Sequence, residues 1–331
     1  EFYQAEVEHF WPHVWQVACR EEQIPEVGDW IEYTNVGKSV IVVRTANGVK
    51  AFHNACRHRG VPIAGGTTVG ASHSKAHGNC AKTGFVCPFH GWEWNREGRN
   101  VCIPYQDRPN RGRRIGTYPV VERNEAVYIW HDVDGRAPYY DAPDVFADFK
   151  DDRSVAHYHK PVRMYRPQLE LHPQYIQENG VDFAHFKYVH DTPDVTFTRH
   201  DFSGPVSFVD FKLAFSFGDP DEQAPAEVTE SFVEAINGGI GVTVTRSWGI
   251  LEGRTVQGVT PVDDCTSDVR FTAYIGRADD IYGEADAQAA RIYAESFTKD
   301  ADFYDFYRAM QSYRHTFGAD GGPAPSGSTN I

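Results

Sequence analysis

Ala55-Cys56-Arg-His58-Arg-Gly60 and, 31 positions on from Cys56, Val86-Cys87-Pro-Phe-His90-Gly91-Trp92 decide how this chain is read. Each stretch supplies one thiol, one imidazole and then a glycine free to turn tightly; Pro88 stiffens the second loop. A structural zinc site can use two Cys and two His, but it usually presents the thiols together and the imidazoles together. Here every loop carries one of each. Around the loops the chain reads as short strands. Segments 30–34, 39–44 and 49–53 are apolar or alternating, and Asn47-Gly48 is a hairpin signal between the last two. Val120–Trp130 reads as a further hairpin. Residues 12–135 are therefore expected to form a small antiparallel β domain with the two loops at its tip.

Two thiolates on one iron and two imidazoles on the other are the ligand set of a Rieske [2Fe–2S] centre, in which the imidazoles remove negative charge and raise the potential. Cys56, His58, Cys87 and His90 are the predicted ligands. Respiratory Rieske proteins carry two additional cysteines that form a disulfide across these loops; the corresponding positions here resemble Val61 and Phe89. The remaining cysteines, at 19, 80, 102 and 265, show no disulfide framework, which predicts a reducing, cytoplasmic setting.

An electron carrier alone needs only the first part of the 331 residues, so the rest should contain an acceptor. After a Pro/Asp-rich linker at 137–144, strand-like runs are expected at Val206–Leu213, Val228–Ala235, Val242–Trp248, Thr255–Val262 and Val269–Ile275, with one long helix over 284–316. The fold class is thus α+β. Domains are expected at 12–135 and at 136–317 (joined by 1–11), followed by a disordered Gly/Pro/Ser tail at 318–331. Residues 62–84 read as a long solvated loop, although His73, His77 and Cys80 within it could suggest another metal.

Composition excludes several classes. Hydrophobic residues make up 41% and aromatics 14%, enough for a large core and an apolar pocket. No apolar run reaches the roughly 18 residues of a membrane span. The N-terminus lacks a signal pattern and a Met, so its start is expected to be trimmed. The net charge is −14, yet residues 12–135 hold 15 Lys/Arg against 12 Asp/Glu, a balance of +3 that leaves −17 for the rest. An acidic chain without a recognition motif is not expected to bind nucleic acid. The basic stretch at 56–114, with Arg108, Arg111, Arg113 and Arg114, is either a solvated face or a docking patch for an acidic electron donor.

The acceptor is expected in Gln177-Glu-Asn179-Gly-Val-Asp182-Phe-Ala-His185-Phe-Lys-Tyr-Val-His190. His185 and His190 with one carboxylate would make a 2-His-1-carboxylate site, which holds mononuclear Fe(II) and leaves positions open for O2. On one helix Asn179, Asp182 and His185 share a side, and His190 requires the helix to loosen or end. For the carboxylate, Asp300 shares a helical face with Tyr293, Phe297, Tyr304 and Tyr307, where an unpaired acid would be costly. Asp302 is the runner-up. The aromatics Phe202, Phe208, Phe211, Phe215, Phe217, Tyr293, Tyr304 and Tyr307 are candidates for either pocket lining or core.

In both motifs and their order the chain resembles the α-subunits of Rieske non-haem iron oxygenases. Within them Glu178-Asn179…Asp182…Ala184-His185-Phe186…Tyr188…His190 is similar to the oxygenases of the 3-ketosteroid 9α-hydroxylase type, and Phe297-Thr-Lys-Asp300 resembles O- and N-demethylating members. The resemblance implies a helix-grip (START-like) catalytic domain with an antiparallel sheet and long C-terminal helix. It also implies a head-to-tail homotrimer, and electrons from NAD(P)H through a separate reductase, sometimes with a ferredoxin. By motif position His90 would face Asp182 of a neighbouring subunit, Asp182 would hold His185, and Asn179 would lie near the iron without being a firm ligand. The implied activity is monooxygenation of a bulky hydrophobic, steroid-like substrate. Oxidative O- or N-demethylation of a substituted aromatic is the alternative, and a pure electron carrier a distant one.

Overall fold

The structure, a computed structural model, describes residues 1–64, 77–80, 84–132, 135–151, 153–189, 194–217, 227–249 and 252–276. Helix α1 (Phe2–His9) leads into β1 (Trp15–Arg20), β2 (Asp29–Asn35), β3 (Lys38–Thr45) and β4 (Gly48–His53). Short strands follow: β5 (His77–Asn79), β6 (Phe85–Val86), β7 (Glu93–Trp94), β8 (Asn100–Cys102) and β9 (Thr117–Tyr118). The hairpin of β10 (Val120–Arg123) and β11 (Ala126–Trp130) closes this half. Its turn residues Asn124 and Glu125 both have φ of 55°, as a two-residue primed turn requires. These strands make sheets ordered β1-β11-β10, β5-β2-β3-β4-β9 and β6-β7-β8.

The second half is one antiparallel seven-stranded sheet. Its strands are β12 (Val162–Leu169), β13 (Asp194–Ser203), β14 (Val206–Phe217), β15 (Glu227–Gly238), β16 (Val242–Trp248), β17 (Gly253–Pro261) and β18 (Ser267–Ile275), in the order β12-β18-β17-β16-β15-β14-β13. Helices α2 (Pro173–Asn179) and α3 (Phe183–Val189) interrupt the chain between β12 and β13. The expected strands at 206, 228, 242, 255 and 269 are all present, several of them longer than anticipated. The two edge strands, β12 and β13, were not anticipated. The expected helix over 284–316 and tail at 318–331 lie outside the described residues, as does most of the 62–84 loop. Within that loop the expectation of no strand is corrected: His77–Asn79 pairs with β2 at Asp29–Ile31.

Side-chain alternation gives the large sheet two different faces. Val206, Phe208, Ile236, Val244, Val256 and Tyr274 point to one side, where they meet Val145, Phe149 and Tyr158 of the connector after β11. Arg254 is fully buried there. Its guanidinium is 2.5 Å from both Asp151 oxygens, 2.8 Å from the Tyr158 hydroxyl and 2.5 Å from the Val145 carbonyl. The buried cation thus has both a counter-ion and hydrogen-bond acceptors, without which burial would be prohibitive.

Strand β1 seats the first half on this same face. A Cβ on Gly241 would come within 2.4 Å of the Trp15 carbonyl oxygen, and one on Gly258 within 2.5 Å of Val17. A buried bond between the Tyr33 and Thr260 hydroxyls (3.2 Å) crosses the same seam, with Gln16 Oε1 3.1 Å from Tyr33 on the near side. The opposite face of the sheet carries α2, through Ile176 against Val259 and Val269.

Candidate active site

The two Cys/His loops have the same backbone frame. The Cys56 N–H donates to the Val61 carbonyl (2.8 Å) and the Gly60 N–H to the Cys56 carbonyl (2.8 Å); the Cys87 N–H donates to Trp92 (2.8 Å) and the Gly91 N–H to Cys87 (3.0 Å). Each glycine takes a left-handed φ, 74° at Gly60 and 69° at Gly91. At Gly91 a Cβ would also meet the Pro104 ring at 2.9 Å. Sequence chemistry thus builds two matching knuckles, the first between β4 and β5 and the second between β6 and β7.

Both thiols are buried, packed among Ile41, Phe52, Ile63, Trp94 and Ile103. They lie within hydrogen-bonding reach of each other. Burial pushes the Cys56 thiol up, a backbone N–H from His58 draws it down, and the neighbouring Cys87 pushes it up again. Two thiolates confined side by side in an apolar core repel unless a cation lies between them. The imidazoles sit together on the outer side: the His58 and His90 rings are 4.7 Å apart. Loss of surrounding water, then His90, Arg59 and Arg113, hold His58 below its ordinary value, which favours the neutral, ligating form. His58 also stacks on Trp92 at 4.8 Å and 1°. The Trp92 indole donates to the Tyr105 hydroxyl at 2.6 Å.

This donor set fits a [2Fe–2S] cluster. Among the described residues no three His, Cys, Asp or Glu side chains converge on one ion. Two thiols and two imidazoles in separate pairs suit two irons, and do not suit one tetrahedral zinc. Cys80, raised as a possible second-metal ligand, is instead a core residue beside Phe85, and burial pushes its thiol up to about 11. All six cysteines are free thiols.

The second region is arranged differently from expectation. Asn179 and His185 do not share one helix. Helix α2 ends at Asn179, Gly180 follows, and α3 begins at Phe183. Gly180 weakens a continuous helix by about 1 kcal/mol, and Asp182 caps the new one: its carboxylate accepts from the Ala184 N–H at 3.0 Å. Asp182 does meet His185, but through its backbone carbonyl, 2.6 Å from Nδ1. That contact sets the orientation of the ring. The Asp182 carboxylate and the His90 ring are both exposed. Asn179 stands at the C-terminal end of α2, and its side chain is not described. His190, Asp300 and Asp302 lie outside the described residues.

Beside α2 the cavity face of the sheet encloses a volume of about 770 Å³, within the usual range for small-molecule sites. Ile176, Gln177, Gly180 and Val181 form one wall, and Val209, Phe211 and Val233 form the floor. Of the candidate aromatics, Phe202 and Phe211 line it. Phe208 does not: it points to the opposite face, with Val145 and Tyr158, because residues one apart on β14 alternate. Phe215, Phe217, Tyr293, Tyr304 and Tyr307 are not among the side chains described. Phe10, His13, Val14 and Tyr139 also line the cavity; their distance in sequence from α2 hid them.

Comparison with known proteins agrees with this division. The family described as Rieske [2Fe–2S] domain matches residues 14–120, and the family described as 3-ketosteroid 9α-hydroxylase C-terminal domain matches residues 129–304. A cholesterol 7-desaturase of Bombyx mori is 31% identical over 189 residues, 55% of this chain and 36% of that protein. The oxygenase component of a 3-ketosteroid-9-alpha-monooxygenase of Rhodococcus rhodochrous is 29% identical over 157 residues, 46% of this chain and 36% of that protein. The match therefore spans little more than a third of these two relatives. Dicamba monooxygenase bound to 3,6-dichlorosalicylic acid superposes with a TM-score of 0.63 over 95% of this chain and 92% of that one, at 17% identity, so the two share a fold.

Proposed function

Given that the chain belongs to the family of the 3-ketosteroid 9α-hydroxylase C-terminal domain, preceded by a Rieske [2Fe–2S] domain, we propose that it is the oxygenase component of a multicomponent Rieske monooxygenase. Its substrate is a bulky hydrophobic molecule, steroid-like or polycyclic, and its electrons come from NAD(P)H through a reductase, with or without a ferredoxin. The observation that carries this reading is the apolar cavity of about 770 Å³ beside α2, in a chain that also builds the paired Cys/His loops.

Cys56, Cys87, His58 and His90 would hold the cluster and His185, His190 and Asp300 the mononuclear Fe(II), groups that would supply single-electron transfer and O2 chemistry. The chain's own residues do the rest. The thiol pair sits in a core that excludes water, while the imidazole pair faces outward, where an electron can arrive or leave. Asp182 caps α3 and orients His185 through its carbonyl; its exposed carboxylate would meet His90 of another copy in a homotrimer. The cavity's apolar floor orients the skeleton and keeps water from the reacting C–H bond.

A second reading has its own support: several relatives are named cholesterol 7-desaturases, and desaturation begins with attack on the same kind of C–H bond. One experiment separates the outcomes. The purified chain with a surrogate reductase is given NADH, O2 and a panel of steroids, sterols and methoxy- or N-alkyl-aromatics, with coupled consumption and product mass recorded. A product that gains one oxygen supports hydroxylation, and one that loses two hydrogens supports desaturation. Aldehyde release from the aromatics with steroid silence would replace both with demethylation.

A further inference from the structure

The cavity is apolar over most of its wall, but one stripe across three neighbouring strands and α2 is polar and internally wired. The Gln177 amide Nε2 donates to the Thr243 hydroxyl at 2.8 Å. That hydroxyl donates to Asn237 Oδ1 at 2.8 Å. The Asn237 Nδ2 donates in turn to the Ser207 hydroxyl at 3.0 Å. All four residues line the cavity. They meet because β14, β15 and β16 pair in register: Ser207 lies opposite Asn237, and Asn237 opposite Thr243.

Direction matters in this chain of bonds. Each bond in the run has one donor and one acceptor in the same order, so the run has a sense, and Gln177 and Asn237 each keep a second N–H. At one end the Ser207 hydroxyl accepts from Asn237, which leaves its own proton to give. At the other end the Gln177 amide oxygen accepts. A ligand carbonyl is satisfied at the donor end. A ligand hydroxyl can accept from Ser207 and donate elsewhere on the stripe.

Charge selects further. None of the described residues lining the cavity is Asp, Glu, Lys or Arg. Its titratable rings are His9, His13 and His200, besides Tyr139. His13 is already engaged: its Nδ1 is 3.0 Å from the His9 carbonyl and its Nε2 3.7 Å from the buried Asp132 carboxylate. A carboxylate or quaternary ammonium would enter with no fixed counter-ion, at a large desolvation cost.

We propose that the Gln177–Thr243–Asn237–Ser207 chain is the specificity determinant of the cavity, anchoring the single neutral oxygen, a carbonyl or a hydroxyl, of an otherwise hydrocarbon substrate. This rests on the reading of the cavity as the substrate site. Ser207 and Asn237 make the contact, and Thr243 and Gln177 position them.

The test is a binding measurement on the full-length, cluster-loaded protein without reductase. Equilibrium dialysis is run with three probes of one skeleton: a neutral 3-ketosteroid, its deoxy hydrocarbon and a steroid carboxylate. Wild type should favour the ketone over the hydrocarbon by about ten-fold, the worth of one well-made neutral hydrogen bond, and should bind the carboxylate weakest. Ser207→Ala and Asn237→Leu should erase that preference while hydrocarbon affinity holds, and Ser207→Thr should restore it. Cluster absorbance and circular dichroism show that the variants remain folded. Equal binding of ketone and hydrocarbon by wild type, no binding of either, tightest binding of the carboxylate, or a preference that survives in both Ser207→Ala and Asn237→Leu would each overturn the proposal.

Turnover then separates the two readings. If the hydrocarbon turns over as readily as the ketone, the polar anchor fails and the oxygenase stands. If the ketone preference is present but no steroid elicits O2 consumption, the oxygenase reading fails and the anchor stands.

Discussion

The Cys/His loops and the α2–α3 segment make opposite use of the chain. The loops are locally determined: matching backbone bonds, two glycines at positive φ and a closed apolar core hold Cys56 and Cys87 in place. The α2–α3 segment is two helices of seven residues each, capped at one joint by an exposed Asp182, whose backbone carbonyl meets His185. The lesson is that the loops are built by local sequence and the cavity beside α2 by convergence of distant parts, so the two should fail in different ways.

The largest expected effect lies in the loops. Cys56→Ser should remove the visible absorbance of the cluster and abolish turnover, whereas His185→Ala should leave that absorbance intact and lower only the iron content. If His185→Ala also bleached the cluster, the two regions would not be independent. Next in size, Asp151→Ala strands the buried Arg254 guanidinium and should cost about 3–5 kcal/mol of unfolding free energy, measured by urea titration. The sheet beneath the cavity should loosen while the cluster spectrum of the folded protein is unchanged.

The cluster-bearing half has its own weak point in His131. It is fully buried, and neither ring nitrogen has a hydrogen-bond partner. Burial, then Lys38 and His53, lower it from 6.5 to about 4. Above pH 6.5 the ring is neutral both folded and unfolded and contributes nothing. As pH falls from 6.5 to about 4 the unfolded chain takes up a proton that the folded chain refuses, and stability drops by up to about 3 kcal/mol. His131→Phe should flatten the acid limb of the unfolding profile across that window. An unchanged limb would assign the acid sensitivity elsewhere.

The smallest effect sharpens the contrast most. Asp182→Ala should keep cluster colour and iron but lower electron delivery on the order of 10- to 100-fold, and cost about 1 kcal/mol from the lost cap. Asp182→Asn keeps the cap and removes the charge. Slow delivery in both variants assigns the role to the charge; recovery in Asp182→Asn assigns it to the cap. Single-turnover oxidation of the reduced cluster is the measurement.

What the sequence made legible follows the same division. The loops, the β10–β11 hairpin and the five inner strands of the large sheet were readable because spacing, turn residues and alternation are local signals. The edge strands were not. β12 carries Arg163, Arg166 and Pro167, and β13 carries Arg199, His200 and Asp201, the charges and proline that keep an unpaired edge from recruiting other strands. The break between α2 and α3 was signalled by Gly180 and the capping Asp182, but one-sided helical spacing outweighed it. The cavity wall formed by Phe10, Val14 and Tyr139 carries no local signature, because it exists only once the chain has folded back.

Gly241 and Gly258 have a mechanical consequence. The first half of the molecule rests directly on the bare backbone of the large sheet, with no room for even a methyl group between them. A side chain at either glycine would have to push the two halves apart. The tip that carries the neighbouring His58 and His90 rings is thus anchored, through β1, to the sheet that floors the cavity.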